Sequence, residues 1–309
     1  MIATAAGTTL ASFVVAFAAA CVVTRLALRI APRDAATQEA HKRDQRAVPL
    51  VGAIVAFALI ALAILLVATV ANLSTVANVS TAGALARAWP LPVVAGLLVA
   101  TSLGFMDDVR KRRGLAWPIK LAIQAAAAAT LAFVDPASLA FGAGPHARLF
   151  ACAFTLLAMN AWNLFDNFDG AATLTALAML GLMLMRTPAH GELALDVVYV
   201  AGALLGFLPW HWPRTRCYLG DGGSHALGFA LAWLALRDTE GPRAALAFHT
   251  LPMLDMAHVV VVRLGLGIAP WRGDKRHLAH RLAAMTGSKD RLVAPILALL
   301  AALAAACLL

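Results

Sequence analysis

The stretch LPVVAGLLVATSLGFMDDVRKRR, residues 91–113, places a long apolar run directly before an acidic pair and a basic cluster. An α-helix needs roughly 20 mainly apolar residues to cross a bilayer, and similar apolar blocks recur along the 309 residues. Hydrophobic residues make up 61% of the chain and charged residues 13%, whereas a soluble domain is about a quarter charged. The sequence therefore predicts an all-α fold, a polytopic transmembrane helical bundle that forms a single domain over residues 1–309.

Ten apolar blocks are candidate spans, and the charges between them indicate their orientation. The blocks cover residues 3–24, 50–71, 90–106, 118–134, 148–164, 171–186, 193–210, 224–236, 244–264 and 292–309. The loops near residues 25–49, 107–120, 165–170, 211–223 and 263–291 hold 20 of the 25 Lys and Arg residues. Because cytoplasmic loops are enriched in Lys and Arg, these loops are predicted to be cytoplasmic and both termini periplasmic. The net charge of +9 then reflects topology and contacts with anionic lipid or substrate, so nucleic acid is not a predicted partner.

An adjacent pair of carboxylates, Asp107 and Asp108, follows the third block. Like charges at one helix end repel each other and are stabilised by a nearby cation or proton. Adjacent side chains on a helix point in different directions, so one carboxylate can meet a metal while the other meets a substrate or a base. A solvated polar cap beside the basic residues 110–113 is the alternative.

The densest polar run is NAWNLFDNFDG, residues 160–170, which contains neither Lys nor Arg. Its Asn and Asp residues recur about every three positions, and on a continuing helix they would share one face. Oxygen ligands of this kind suit Mg²⁺ or Mn²⁺ and the polar groups of a substrate. A hydrogen-bonded seam between helices is the alternative.

A glycine-rich turn, YLGDGGS, covers residues 218–224. Its glycines allow the backbone to approach a ligand closely, and Ser224 can cap a following helix whose N-terminus favours phosphate. Asp221 is better suited there to a metal that bridges to phosphate than to phosphate itself. A flexible turn without a ligand is the alternative.

The basic run DKRHLAHRL, residues 274–282, contains two histidines at i and i+3. His277 and His280 share a face if the run is helical, but no third zinc-type ligand lies nearby. The neighbouring Lys and Arg residues favour an anion site, and an amphipathic interfacial stretch is the alternative. All four motifs lie on the side predicted to be cytoplasmic. Together they offer acids for a divalent cation, glycines for close approach and bases for phosphate, which phosphoryl transfer requires.

These motifs resemble those of the polyprenyl-phosphate N-acetylhexosamine-1-phosphate transferases, a membrane family that includes the phospho-N-acetylmuramoyl-pentapeptide transferases. The family patterns are an Asp-Asp pair, NAxNxxDNxDG, GDxGS and HLHHRL, and the resemblance covers residues from about 25 to 290. The resemblance implies transfer of a sugar 1-phosphate from a UDP-N-acetylhexosamine to undecaprenyl phosphate, with release of UMP and with Mg²⁺ or Mn²⁺ as cofactor. It also implies a bacterial inner-membrane location in contact with membrane lipid, and a homodimer is compatible with it.

The same resemblance implies roles for individual residues. It assigns the metal to Asp221, Asp107 and Asp166, and catalysis to Asp107 and Asp108. The implied substrate contacts are Arg46, Lys120, Asn160, Asn163, Asp166, Asp169, Ser224, His277, His280 and Arg281. Ala279 replaces the middle histidine of HLHHRL, and the missing three-histidine run favours the branch that starts O-antigen and other surface polysaccharides.

Two other classes of protein stay open. An intramembrane aromatic prenyltransferase also pairs acidic motifs with a prenyl diphosphate and Mg²⁺, but it has no use for the motifs at 220–224 and 277–282. A cation transporter would place carboxylates in the middle of spans, where the sequence offers only Asp255.

Overall fold

The fold is a bundle of helices. The computed structural model describes residues 2–34, 48–63, 89–110, 115–134, 142, 144–187, 192–238, 241–286 and 290–309. The helices are α1 (Ile2–Ile30), α2 (Gly52–Ala63), α3 (Leu91–Val109), α4 (Trp117–Ala129), α5 (Pro145–Phe165), α6 (Ala171–Arg186), α7 (Glu192–His211), α8 (Gly220–Leu236), α9 (Pro242–Gly265), α10 (Leu278–Met285) and α11 (Asp290–Leu308). A 3-10 turn, Thr130–Phe133, extends α4, and β1 (Arg33–Asp34) pairs antiparallel with β2 (Val48–Pro49).

Within the described ranges, six helices are long and apolar enough to cross a membrane: α1, α3, α5, α7, α9 and α11. This confirms the prediction of an α-helical membrane protein. The other four predicted spans coincide with α2, α4, α6 and α8, whose described lengths fall below the roughly 20 residues that a crossing needs. The ten crossings and the sides of the termini therefore stay predictions.

Proline defines where several of the helices begin. Pro92, Pro118, Pro145 and Pro242 each lie in the first turn of a helix. Proline has no N–H, but the first N–H groups of a helix have no partner within the helix, so nothing is lost there. Four helices of the chain therefore have a proline in their first turn, where it costs no hydrogen bond.

Helix α8 lies in the centre of the bundle. Every residue from Gly222 to Leu236 is buried, and the helix packs against α3 and α5. At its beginning the backbone of α3 approaches very closely, because a Cβ placed on Gly104 would lie 2.3 Å from the backbone of Asp221. Glycine is thus required at Gly104 for α3 and α8 to meet.

The segment before α8 is held by the segment before α2. The backbone N–H of Tyr218 donates to the Pro49 carbonyl at 2.9 Å, and that of Val51 donates to the Tyr218 carbonyl at 3.0 Å. These bonds fix the entry to the glycine-rich turn at the end of the bundle where α3 and α5 also end.

Candidate active site

Asp108 holds the turn that begins α8. Its Oδ1 accepts a hydrogen bond from the backbone N–H of Asp221 at 3.0 Å, and its Oδ2 accepts one from Gly222 at 3.1 Å. A carboxylate suits this place because the first N–H groups of a helix lack partners and carry partial positive charge. Gly220 adopts a φ of +70°, and a Cβ on it would lie 2.6 Å from Asp108 Oδ2. The end of α3 therefore caps the start of α8, and glycine is needed at Gly220.

The carboxyls of Asp107 and Asp221 meet across the same junction. Their side chains lie within hydrogen-bonding reach of each other. Asp107 also pairs with Lys120 and accepts a hydrogen bond from the Leu115 N–H at 2.9 Å. Two neighbouring carboxylates repel each other unless a proton or a cation lies nearby. Lys120 offsets one of the two charges, so a net negative charge remains for a further cation to offset.

Asn163 adds an amide oxygen to this pair. Its Nδ2 donates to Asp221 Oδ1 at 3.2 Å and to Ser224 Oγ at 2.9 Å. The hydroxyl of Ser224 in turn donates to the Gly220 carbonyl at 2.9 Å. Both amide hydrogens of Asn163 are therefore used inside the protein, and Oδ1 is the atom that Asn163 can offer a ligand.

These oxygens define what a cation would meet. In the described part of the chain, no group of three or more His, Cys, Asp and Glu side chains is arranged as a metal site. Asp107, Asp221 and the Oδ1 of Asn163 form a smaller, all-oxygen set. Mg²⁺ is commonly held by one or two carboxylates, with water and substrate phosphates completing its shell, so this set fits Mg²⁺ shared with a phosphate ligand.

The run at 160–170 divides at Phe165, where α5 ends. The side chain of Asn167 donates to the Leu164 carbonyl at 2.7 Å, which satisfies one of the carbonyls that a helix end leaves without a partner. A helix continuing through Asp169 is therefore wrong, because the chain turns away and Gly170 adopts a φ of +75°.

Asp166 and Asp169, the two carboxylates that follow the end of α5, lie in different surroundings. Asp166 lies beside the buried His211, with 3.8 Å between Asp166 Oδ1 and His211 Nε2, and Asp169 is exposed. The assignment of Asp166 to a metal stays a prediction.

His277 is held by protein groups on both sides of its ring. Its Nδ1 lies 2.8 Å from Asp255 Oδ2, and its Nε2 lies 3.4 Å from Arg263 Nη2. Asp255 Oδ1 also accepts the N–H of Leu278 at 2.7 Å, which caps the start of α10. The carboxylate that a cation transporter would need in mid-span is thus engaged in positioning α10.

The side chain of Arg263, near the end of α9, contacts the loop that connects α9 to α10. The guanidinium is fully buried and donates to both carboxylate oxygens of Asp274, at 3.1 and 3.2 Å, and to the Pro270 carbonyl at 2.5 Å. Partial burial raises the pKa of Asp274, but hydrogen bonds from Arg263 and Arg276 outweigh it and hold the pKa well below its usual value of 3.8.

The remaining basic residues of the prediction lie near these groups. His280 stacks edge-on against Phe168, with ring centroids 5.8 Å apart, so the fourth motif contacts the second. Arg281 is exposed, and its Nη1 lies 3.2 Å from His258 Nε2. Arg46 lies outside the described residues.

Sequence reasoning missed His225, which is buried one helical turn after Asp221. Its Nδ1 lies 2.5 Å from the Asp221 carbonyl, and its Nε2 lies 2.7 Å from Gln124 Nε2. An ionisable residue inside the mainly apolar block 224–236 was the available signal.

Comparison with known proteins supports the grouping of these motifs. The profile of "Glycosyl transferase family 4" matches residues 90–238. The chain is 31% identical over 243 residues to decaprenyl-phosphate N-acetylglucosaminephosphotransferase of Mycobacterium leprae (strain TN), covering 66% of this chain and 60% of that protein. It is 27% identical over 234 residues to undecaprenyl-phosphate alpha-N-acetylglucosaminyl 1-phosphate transferase of Escherichia coli (strain K12), covering 68% of this chain and 62% of that protein.

The chain thus spans about 60% of the length of these curated relatives. The matched region contains the Asp107–Asp108 pair, the polar run 160–170 and the glycine-rich turn 218–224, which the fold brings together. Residues 90–238, which contain three of the four motifs, are thus similar to glycosyl transferase family 4.

Proposed function

We propose that this protein transfers an N-acetylhexosamine 1-phosphate from a UDP-sugar to undecaprenyl phosphate and releases UMP. The observation that carries the proposal is the convergence of Asp107, Asp221 and Asn163 at the start of α8, beside Lys120. The names of the relatives from M. leprae and E. coli include N-acetylglucosamine transfer and a polyprenyl phosphate, so UDP-N-acetylglucosamine is the first donor to test.

A divalent cation, Mg²⁺ or Mn²⁺, is part of the proposal. Asp221, Asp107 and the Oδ1 of Asn163 would hold it, and Asp166 is the further carboxylate predicted from the sequence. When bound, such an ion would offset the charge of the diphosphate and polarise the phosphoryl group. Asn163 steadies Asp221 for this task, because its Nδ2 donates to one carboxylate oxygen of Asp221.

The reaction is a direct displacement in this proposal. An oxygen of the lipid phosphate attacks the phosphorus that carries the sugar, and the bond from that phosphorus to the oxygen of UMP breaks. The lipid phosphate is already an oxyanion and needs little activation. We assign to Asp107 the removal of any proton that the lipid phosphate carries, and to Asp108, whose two oxygens accept backbone N–H groups of α8, the holding of the turn.

Basic side chains at the same end are assigned to phosphates. Lys120 reaches the carboxylates from α4, and His280 and Arg281 extend from α10 near the run at 160–170. His277 contributes by orienting α10, since its two ring nitrogens face Asp255 and Arg263. The other substrate contacts predicted from the sequence are Arg46, Asn160, Asp169 and Ser224.

The two substrates explain the proposed orientation. A UDP-sugar is soluble, whereas undecaprenyl phosphate lies in the bilayer, so the site must face the aqueous phase next to the membrane. The basic loops place that phase in the cytoplasm by the positive-inside rule. We therefore propose a bacterial inner-membrane enzyme with about ten crossings and both termini periplasmic, which starts the synthesis of O-antigen or another surface polysaccharide.

A donor panel tests this function. The purified protein with Mg²⁺ and undecaprenyl phosphate should release UMP from at least one UDP-N-acetylhexosamine, and omission of the lipid or addition of EDTA should stop the release. No UMP from any such donor would contradict the proposal. Transfer from a prenyl diphosphate to an aromatic acceptor, or cation uptake into proteoliposomes, would instead support one of the two alternatives.

A further inference from the structure

Three side chains form a hydrogen-bonded chain beneath the candidate site. Asn160 of α5 contacts Gln124 of α4, with 3.0 Å between Nδ2 and Oε1. Gln124 contacts His225 of α8, with 2.7 Å between the two Nε2 atoms, and His225 Nδ1 lies 2.5 Å from the Asp221 carbonyl oxygen. Gln124 and His225 are both buried, so this chain links three helices away from water.

The groups at the two ends of this hydrogen-bonded series determine which atom donates in each bond. These groups are the backbone carbonyls of Asp221 and Leu156. The Asp221 carbonyl only accepts, so His225 Nδ1 carries the proton and His225 Nε2 is left to accept from Gln124. At the other end, the same atom of Asn160 lies 2.8 Å from the Leu156 carbonyl, which also only accepts. The atom of Asn160 that faces Leu156 must therefore be the amide nitrogen, and Gln124 must present its Oε1 to this nitrogen. Both ends of the series thus require the same orientation of the Gln124 amide, with Oε1 towards Asn160 and Nε2 towards His225.

This arrangement decides what Asn160 can offer a ligand. Both of its amide hydrogens are used, one by Leu156 and one by Gln124. Asn160 is half-buried, and no described residue donates a hydrogen bond to its Oδ1. Asn160 lies one helical turn before Asn163, whose amide hydrogens are likewise used inside the protein. The side chain therefore presents a hydrogen-bond acceptor.

We infer that His225 and Gln124 are positioning residues that fix Asn160 as a hydrogen-bond acceptor for an O–H or N–H group of the bound sugar nucleotide. The inference rests on the proposed function. It excludes the phosphates as partners of Asn160, because their ionised oxygens offer no hydrogen at neutral pH. The donor group belongs to the sugar, through a hydroxyl or the acetamido N–H, or to the uridine.

Kinetics of variants of the full chain test this inference, with UDP-N-acetylglucosamine, Mg²⁺ and undecaprenyl phosphate as substrates. His225→Leu and Asn160→Ala should each raise the KM for the donor about five- to tenfold, the worth of one hydrogen bond, with a smaller change in kcat. His225→Gln offers both a donor and an acceptor and should restore much of the loss. Gln124→Met removes the hydrogen bonds to both Asn160 and His225. It provides the same test if His225→Leu fails to fold.

A matched control lies on the same helix. Thr155 is fully buried, and its hydroxyl has no partner in the described part of the chain, so Thr155→Val should leave KM and kcat within about twofold of the wild type. Calorimetric binding of UMP and of UDP-N-acetylglucosamine to Asn160→Ala then separates the sources. A loss for the sugar nucleotide alone indicates the sugar, and an equal loss for both indicates the uridine.

An unchanged KM in Asn160→Ala, or a fall in kcat alone in both His225→Leu and Gln124→Met, would overturn the inference while leaving the proposed function intact. A wild-type protein that neither binds the sugar nucleotide nor releases UMP would overturn the proposed function, and the role of Asn160 with it.

Discussion

At the scale of single residues, two adjacent aspartates have different tasks. Asp108 gives both oxygens to backbone N–H groups of α8, while Asp107 faces Lys120 and Asp221. The sequence predicted that neighbouring side chains would point apart on a helix. It did not indicate which one would cap and which one would face the ligand, because that depends on α8, more than 100 residues later in the chain.

Asp221→Ala tests the carboxylate that the proposal uses most. The substitution removes the side chain at the centre of the oxygen set, so UMP release should fall by about 100-fold or more. Release of UMP at saturating substrate is the measurement, and an unchanged melting temperature in detergent shows that the fold is kept. Full activity would rule out Asp221 as a metal ligand.

A pair of variants separates the two adjacent aspartates. Asp108→Asn loses one acceptor at the start of α8 and should lower folding stability by about 1 kcal/mol, which is typical of a lost helix cap. Asp107→Asn relieves the repulsion with Asp221 and should lower UMP release with a smaller effect on stability. Melting temperature and activity are measured for both. The reverse pattern, with Asp107→Asn the less stable variant, would contradict the division of roles.

At the scale of elements, apolar length and proline predicted where most helices lie. The blocks at 90–106 and 244–264 match α3 and α9 closely, since a long apolar run has few other stable arrangements in a membrane. The connections between elements were not predictable in the same way. Asp255 caps α10 across 23 residues, and Arg263 reaches Asp274 through a loop. These contacts depend on tertiary packing, which has no local period in the sequence.

The contacts of the glycines in the site likewise depend on tertiary packing and were not predicted from the sequence. The turn 218–224 was predicted to bring backbone close to a ligand. In the structure, Gly220 is required by its positive φ and its contact with Asp108, and Gly104 by the contact between α3 and α8. At Gly104 and Gly220 the neighbour that requires glycine is the protein itself, and the approach of the turn to a ligand stays a prediction.

The ion pair of Asp274 should make the stability of this loop depend on pH. Because the folded pKa lies below the usual 3.8, the pair contributes fully at pH values above 3.8 and is lost as the pH falls through the lowered value. Asp274→Asn should therefore lower the melting temperature at pH 7, and its difference from the wild type should shrink below about pH 4. A difference that grows as the pH falls would contradict the assigned ion pair.

At the scale of the whole molecule, the four polar motifs meet at one end of the bundle. The contacts Asp108–Asp221, Asn163–Asp221 and Phe168–His280 join them across four helices. Charge counting predicted that the motifs share a side, and two kinds of direct contact between them, hydrogen bonds and the ring contact of Phe168 with His280, are consistent with it. Chemical labelling tests the side of the membrane on which the termini lie.

The native cysteines provide that labelling test. Cys307 is exposed near the end of α11, so a membrane-impermeant maleimide should label it from the periplasmic side, and Cys307→Ser should abolish the signal. Cys217 should stay unlabelled in the folded protein because burial raises the pKa of its thiol to about 12. Labelling of Cys307 only after the inner membrane is broken would place the C-terminus in the cytoplasm.

The central claim, transfer of a sugar together with its phosphate, is tested most directly by following one phosphorus atom. UDP-N-acetylglucosamine carrying ³²P in the phosphate next to the sugar is incubated with the protein, Mg²⁺ and undecaprenyl phosphate, and lipid and aqueous products are separated. If the sugar is transferred with its phosphate, the label and the sugar move together into the lipid, and unlabelled UMP appears in equal amount. Label that stays in the aqueous phase as UDP while the sugar enters the lipid would contradict the claim.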